Sequence, residues 1–199
     1  MSMVACDMSI SVDGFAAGPN QSADKPFGDG NVDALDRWMF EQPEQNAAAL
    51  DAITSARAYV MGRNMFGPIR GEWDEVWTGW WGDDPPYHAP VFVLTHHPRE
   101  PVQMQGGTTF TFVTDGIEAA LAQAREAAGD GDVSIAGGAH TVNQYLAAGL
   151  VDELRLHVTP IVLGRGERLL DGVGALGPEQ LGEVSGTDLV THLRYRVVR

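Results

Sequence analysis

Apolar residues fall in short runs of no more than four, set apart by glycine, proline and polar clusters. This spacing predicts strands and helices in alternation. Residues 3–12 read as a buried strand, and Asp13-Gly14 as the turn after it. A long loop rich in Gly, Pro and Asn follows over 16–31. Residues 33–40 predict a short helix capped by Asp33 or Asn31, and residues 43–58 an Ala-rich helix with Leu50 and Ile53 on one side. Tyr59-Val60-Met61 reads as a strand that turns at Gly62 into a helix start. Residues 71–90 are irregular and carry Trp73, Trp77, Trp80, Trp81 and Tyr87.

Further strands are predicted over 91–95, 108–113, 133–136 and 153–160, with 161–163 as an extension of the last. Helices are predicted over 116–128 and 139–148. Gly164-Arg165-Gly166 turns the chain. The tail, 181–198, reads as two antiparallel strands around Gly186-Thr187-Asp188. The pattern as a whole is α/β: a mostly parallel central sheet with antiparallel C-terminal edge strands and helices on both faces. No repeat or linker divides residues 1–199, so a single domain is expected.

Charge narrows the range of partners. A formal net charge of −14 disfavours nucleic acid and anionic membranes, both of which need a basic surface. An anionic ligand must then be held locally by a few cations, backbone N–H groups and helix ends. The N-terminus has no signal-peptide pattern, and the one cysteine, Cys6, lies in a strand. Cys6 is expected to be a small core residue and the location cytoplasmic.

Val133 to Asn143 carries the clearest chemical signal: strand, Gly137-Gly138, then helix. Two glycines let a ligand approach the backbone, and the helix aims its first N–H groups at that gap, an arrangement suited to phosphate. A tight turn is the alternative. Gly62-Arg63 and Thr95-His96 also follow strands, and ligands in such sheets bind beyond the carboxyl ends of the strands. His88, His96 and His97 lack the partners for a metal site, and no Gly-x-Ser-x-Gly nucleophile turn occurs.

In order, the chain contains Ser9-Ile10-Ser11-Val12-Asp13-Gly14-Phe15-Ala16-Ala17-Gly18, Met61-Gly62-Arg63-Asn64-Met65-Phe66, Val91-Phe92-Val93-Leu94-Thr95 and Ile135-Ala136-Gly137-Gly138-Ala139. Leu150-Val151-Asp152-Glu153-Leu154 and Pro160-Ile161-Val162-Leu163-Gly164-Arg165-Gly166-Glu167-Arg168-Leu169-Leu170 complete the set. This ordered set resembles the dihydrofolate reductase-like superfamily, in its riboflavin-biosynthesis reductase branch (RibD C-terminal type). The resemblance implies a three-layer fold, a homodimer, and NADPH bound across the carboxyl edge of the sheet. It assigns Gly62, Arg63, Asn64, Met65, Thr95, His96, Gly137, Gly138, Ala139, His140 and Thr141 to the cofactor. His96-His97 stands where the family often has arginine, with Arg99 near enough to compensate.

On the substrate side, Asp36 is the candidate acid, on the short helix that resembles the one bearing the acid in dihydrofolate reductases. Asp13, Phe15 and Trp38 are placed beside the substrate, Trp38 as a stacking platform or as core. Asp13 is a second carboxylate, at a position where the family mostly shapes a turn. The aromatic stretch 73–87 is expected to cover something, as a substrate lid or a dimer interface. Two functions follow: a reductase delivering a hydride to a flat heterocycle (pteridine or ribosylaminopyrimidine-like), or a nucleotide-binding protein without turnover. Binding of a flavin or deazaflavin is a third reading.

Overall fold

A computed structural model of the chain describes residues 2–67, 71–74 and 76–198. The first half runs β1 (Val4–Ser11), β2 (Phe15–Ala17), a 3-10 turn (Val32–Leu35), α1 (Arg37–Glu41), α2 (Ala47–Thr54), β3 (Ala58–Gly62), α3 (Arg63–Phe66) and β4 (Pro90–Leu94). It continues with β5 (Val102–Gln103), β6 (Thr109–Val113), α4 (Ile117–Ala128), β7 (Val133–Gly137) and α5 (Ala139–Ala147). The chain closes with β8 (Glu153–Thr159), β9 (Glu167–Arg168), β10 (Gly177–Gln180), β11 (Ser185–Gly186) and β12 (Thr191–Val198). None of the described helices is long and apolar enough to cross a membrane.

Among the described residues, one sheet has the order β10-β12-β8-β1-β7-β3-β4-β6-β5, with β11 added to β12. The six strands from β8 to β6 are parallel to their neighbours, and β12, β10 and β5 are antiparallel. This is the dihydrofolate reductase-like architecture, with a mostly parallel centre and antiparallel C-terminal edge strands. The antiparallel β5 at the opposite edge and the small β2–β9 ladder were not anticipated. Both are two- or three-residue pieces, too short for a periodicity to register.

The α4 and α5 face follows directly from sequence. Val4, Cys6, Met8 and Ile10 of β1 join Ile135, Leu154, Leu156, Leu121, Val142, Tyr145 and Leu146 in one buried cluster. α4 runs between Gly116 and Gly129, both at positive φ, and Gly129 N–H closes it on the Arg125 and Glu126 carbonyls. A fully buried aliphatic side chain of this kind contributes about 1.5–3 kcal/mol. Cys6 belongs to this core and burial pushes its thiol pKa up, away from reactivity.

The other face departs from expectation. The helix expected over 33–40 is broken into a 3-10 turn and α1, with Asp36 at the joint. The helix expected over 43–58 is only α2, which buries none of its residues, and Ala58 already belongs to β3. Residues 161–163 do not extend β8; they form a loop held by Val12 N–H on the Ile161 carbonyl. The aromatic segment packs on this face too. Trp73, Trp77 and Trp81 lie against a second core of Tyr59, Met61, Phe66, Tyr87, Val91, Val93 and Phe110. Trp73, Trp77 and Trp81 thus cover part of the chain's own sheet.

Candidate functional site

The sheet opens at the carboxyl end of its central strands. β1 pairs with β8 over its whole length, from Ala5↔Glu153 to Ser11↔Thr159. It pairs with β7 only from Val4 to Cys6. β7 meanwhile stays with β3 as far as Met61↔Gly137. Beyond Cys6 and Ile135 the two central strands part, leaving a crevice walled by the end of β1 and by Gly137-Gly138. Crevices at this kind of divergence are where open α/β sheets bind ligands.

Gly137 sits at φ 126°, and a Cβ there would press on the sulfurs of Met65 (3.2 Å) and Met8 (3.4 Å). The Gly137–Gly138 peptide bond is cis. Gly138 is the extended N-cap of α5, with no side-chain cap, and a Cβ there would meet nothing within 4 Å. The first N–H groups of the nine-residue α5, from Ala139 onward, have no intrahelical acceptor and sit at the positive end of its dipole. His140 is exposed at this end and Thr141 is buried. A Cβ on Gly62 would collide with Thr141 Oγ1. Gly62 is therefore required for the packing of α5 on β3, a different reason from close approach of a ligand.

Trp73 organises the second corner, at the ends of β3 and β4. The Arg63 guanidinium lies over its ring, 3.9 Å from the centroid, and donates to the Glu72 carbonyl at 3.3 Å. Arg99 faces the same ring at 5.4 Å and those of Phe112 and Phe66 at 5.2 and 5.8 Å. Trp73 Nε1 donates to the His97 carbonyl at 2.7 Å. The Thr95 hydroxyl accepts His97 N–H at 3.1 Å, so it ties its own turn, and His96 is exposed. Asn64 and Met65 are half-buried between these corners. Sequence reasoning named Arg63, Thr95, His96 and Arg99 but not Trp73, which lay among five aromatics with no periodicity to single it out.

Asp36 is half-buried at the break between the 3-10 turn and α1. Gly30, upstream, lies beside Leu163 at the carboxyl edge; Trp38, downstream, reaches Ser9 of β1. Asp36 therefore lies on the α1 side of the sheet, two residues ahead of the Trp38–Ser9 contact. Burial, with a smaller effect from the Asp33 charge, raises its pKa to about 6. A carboxyl so placed can hold a proton near neutral pH and give it up.

The other substrate-side residues are held by the protein's own contacts. Trp38 is fully buried, its ring 4.9 Å from His157 and 5.0 Å from His192, so it is core and presents no face to a ligand. Phe15 is buried beneath the Arg168 guanidinium in the β2–β9 ladder. Asp13 accepts hydrogen bonds from Ser11 Oγ (2.6 Å), Leu163 N–H (3.1 Å) and Gly164 N–H (2.7 Å). The Ser11 bond acts most strongly, and together they lower its pKa to about 2. Asp13 is thus a permanent anion that joins two loops, not a proton carrier. An open groove of about 300 Å³, absent from the sequence reading, runs beside α5 between His140, Asn143 and Gln144 and the Glu167-Arg168 strand.

The same fold occurs in known proteins. A putative riboflavin biosynthesis protein from Shewanella sp. PV-4 superposes with a TM-score of 0.69 at 22% identity, covering 99% of each chain. A diaminohydroxyphosphoribosylaminopyrimidine deaminase/5-amino-6-(5-phosphoribosylamino)uracil reductase from Thermotoga maritima has a TM-score of 0.61 at 14% identity; the match covers 99% of this chain and 57% of that one. In sequence, the uncharacterized protein YyaP of Bacillus subtilis (strain 168) is 25% identical over 170 residues, covering 83% of this chain and 79% of its own. The model of the RibD C-terminal domain matches residues 2–192, nearly the whole chain, which belongs to that family.

Proposed function

We propose that this protein is an NADPH-dependent reductase that delivers a hydride to a flat heterocycle, pteridine or ribosylaminopyrimidine-like. The observation that carries the reading is the divergence of β1 from β7, with the bare amino end of α5 on one side and the protonatable Asp36 on the helix joint that packs against β1 through Trp38. Membership of a reductase family supports it, as does the resemblance to the two-activity Thermotoga protein, whose reductase acts on a phosphoribosylaminouracil.

The residues fit a dinucleotide. Gly138 and the exposed His140 offer an open helix start for a pyrophosphate. Arg63 and Arg99 bring two cations to one aromatic ring, where a further phosphate and a flat base are held by charge and stacking. When bound, NADPH supplies the hydride. The chain's own part is to hold the two rings together in the crevice and to carry a proton on the Asp36 carboxyl for the substrate nitrogen or oxygen.

Titration with NADPH and, separately, NADH tests this through tryptophan fluorescence. Trp73 lies against Arg63, so saturable quenching is expected for NADPH and most of it should vanish in Trp73→Phe. Arg63→Ala should weaken binding by about 10-fold or more, a charged contact of about 1.5–3 kcal/mol. Pterins and aminopyrimidines are then screened for oxidation of the bound NADPH. Binding of neither nucleotide overturns the reading. Binding without turnover on any heterocycle, with Asp36→Asn indistinguishable from the parent, favours a nucleotide-binding protein.

A further inference from the structure

The buried face of β1, β8 and β12 carries a chain of polar contacts that the reaction itself does not use. His157 Nδ1 and His192 Nδ1 face each other at 2.8 Å. His192 Nε2 meets Asn46 Oδ1 at 2.9 Å. His157 Nε2 lies 3.5 Å from Asp7 Oδ1, and Asp7 Oδ2 accepts from Arg155 at 3.3 Å. The Trp38 ring packs against both imidazoles and donates from Nε1 to Ser9 Oγ at 3.2 Å.

Hydrogen-bond direction decides where the hydrogens are. Asn46 Nδ2 donates to the Gln42 carbonyl at 2.7 Å and the Trp38 carbonyl at 3.3 Å, so Asn46 Oδ1 is an acceptor. His192 Nε2 therefore carries a hydrogen. One hydrogen, and only one, fits between the two Nδ1 atoms. Burial and the neighbouring His157 lower the His192 pKa to about 4, so His192 is neutral with its one hydrogen on Nε2, facing Asn46. The groups facing the pair are Asp7 from β1, His157 with Arg155 and Glu153 behind it from β8, Arg194 from β12, and the uncharged Asn46 and Trp38 from the helical side. Asp188 lies one step further out, bound by Gln42 Nε2 at 2.8 Å.

What this chain grips is the helix joint that bears the candidate acid. α1 and α2 bury only Trp38 between them, so apolar packing alone does not seat them. Asn46 is the hinge pin: besides its side-chain bonds, its carbonyl accepts Ala49 and Leu50 N–H. Asp36 caps α1 two residues before Trp38, and its carbonyl accepts Met39 N–H. We infer that His157 and His192 are positioning residues for Asp36: the single hydrogen they share locks Asn46 and Trp38 to the sheet and so sets the dry environment of the Asp36 carboxyl. This rests on the reading of Asp36 as the acid, but its test needs no cofactor.

Long-range nitrogen–proton NMR of the full chain should show His192 with hydrogen on Nε2 alone between pH 5.5 and 8. Carboxyl-carbon NMR should then follow Asp36. In His192→Phe, which keeps a ring against Trp38 but cannot hold Asn46, its titration midpoint should drop from about 6 by one unit or more. His192→Gln, whose amide can still donate to Asn46, should recover more than half of that shift. Hydrogen on His192 Nδ1, or an Asp36 midpoint unmoved in a folded His192→Phe, overturns the inference. The tautomer measurement needs no variant, so it decides even if the Phe chain fails to fold. An unmoved Asp36 leaves the reductase reading standing, and failure of NADPH to bind leaves the positioning intact.

Discussion

The two faces of the same three strands are built on different physics. Toward α4 and α5, β1 presents Val4, Cys6, Met8 and Ile10 to a dry aliphatic core. Toward α1 and α2 it presents Asp7, Ser9 and Ser11, and its neighbours add Arg155, His157 and His192. The first face is held by area removed from water, which is non-directional and tolerates small shifts. The second is held by hydrogen bonds and ion pairs, which are directional and fail when one partner is lost. A site that needs a carboxyl in a defined place gains from the second kind of support, at the expense of sensitivity to pH.

The contrast is broken most severely at Glu153. It is buried and binds Arg155 Nε at 2.6 Å and Arg194 through Nε and NH2 at 3.0 and 2.8 Å. Glu153→Gln leaves the nearly buried Arg155 short of a counter-charge and should destabilise by about 3–5 kcal/mol in urea unfolding at pH 7. Burial opposes the Glu153 charge, but the bonds and charges of Arg155 and Arg194 outweigh it and hold the pKa below its usual 4.5. The pair's contribution is thus complete above about pH 4.5 and lost as pH falls through the lowered value, so the difference between parent and variant should shrink in acid.

On the apolar face, Leu146→Ala should cost about 2–5 kcal/mol, the lower part of that range if the site collapses. Here the difference should be flat from pH 4 to pH 8, because no titrating group is involved. A pH-dependent loss at Leu146, or a flat one at Glu153, would erase the distinction between the faces.

The smallest effect has the opposite sign. The Asp36 pKa is raised from 3.8 to about 6, so ionisation opposes folding as pH climbs through that interval. Asp36→Asn should match the parent at pH 3.5 and exceed its stability at pH 7.5, by no more than about 3 kcal/mol. Thermal unfolding at the two pH values checks it. The same variant should lose the pH-dependent limb near 6 in any reductase rate profile, so stability and activity change in opposite directions.

How far the sequence could be read follows the same divide. α4 and α5 were legible because Ala120, Leu121 and Ala124, or Val142, Tyr145 and Leu146, recur at helical spacing above a dry sheet. α1 and α2 were misjudged because periodicity measures apolar burial, and Asn46, not an apolar stripe, anchors them. Asp36 was named through resemblance, and of the two readings open for Trp38, stacking platform or core, the fold selects core. His157 and His192 carried no signal at all: they are 35 positions apart and meet only because β12 pairs antiparallel with β8 in the register His192↔His157.

The sequence by itself determined the order of strands and helices, the mostly parallel sheet, and the loops that converge on its carboxyl edge. Local spacing and turn chemistry suffice for these, since each is settled within a dozen residues. Tertiary structure alone decided that β1 leaves β7 after Cys6, that Gly62 makes room for Thr141, that Asp13 is locked as an anion, and that a pair of histidines seats the joint at Asp36. Each of these depends on register between distant strands, and a shift of one residue would turn every side chain to the opposite face.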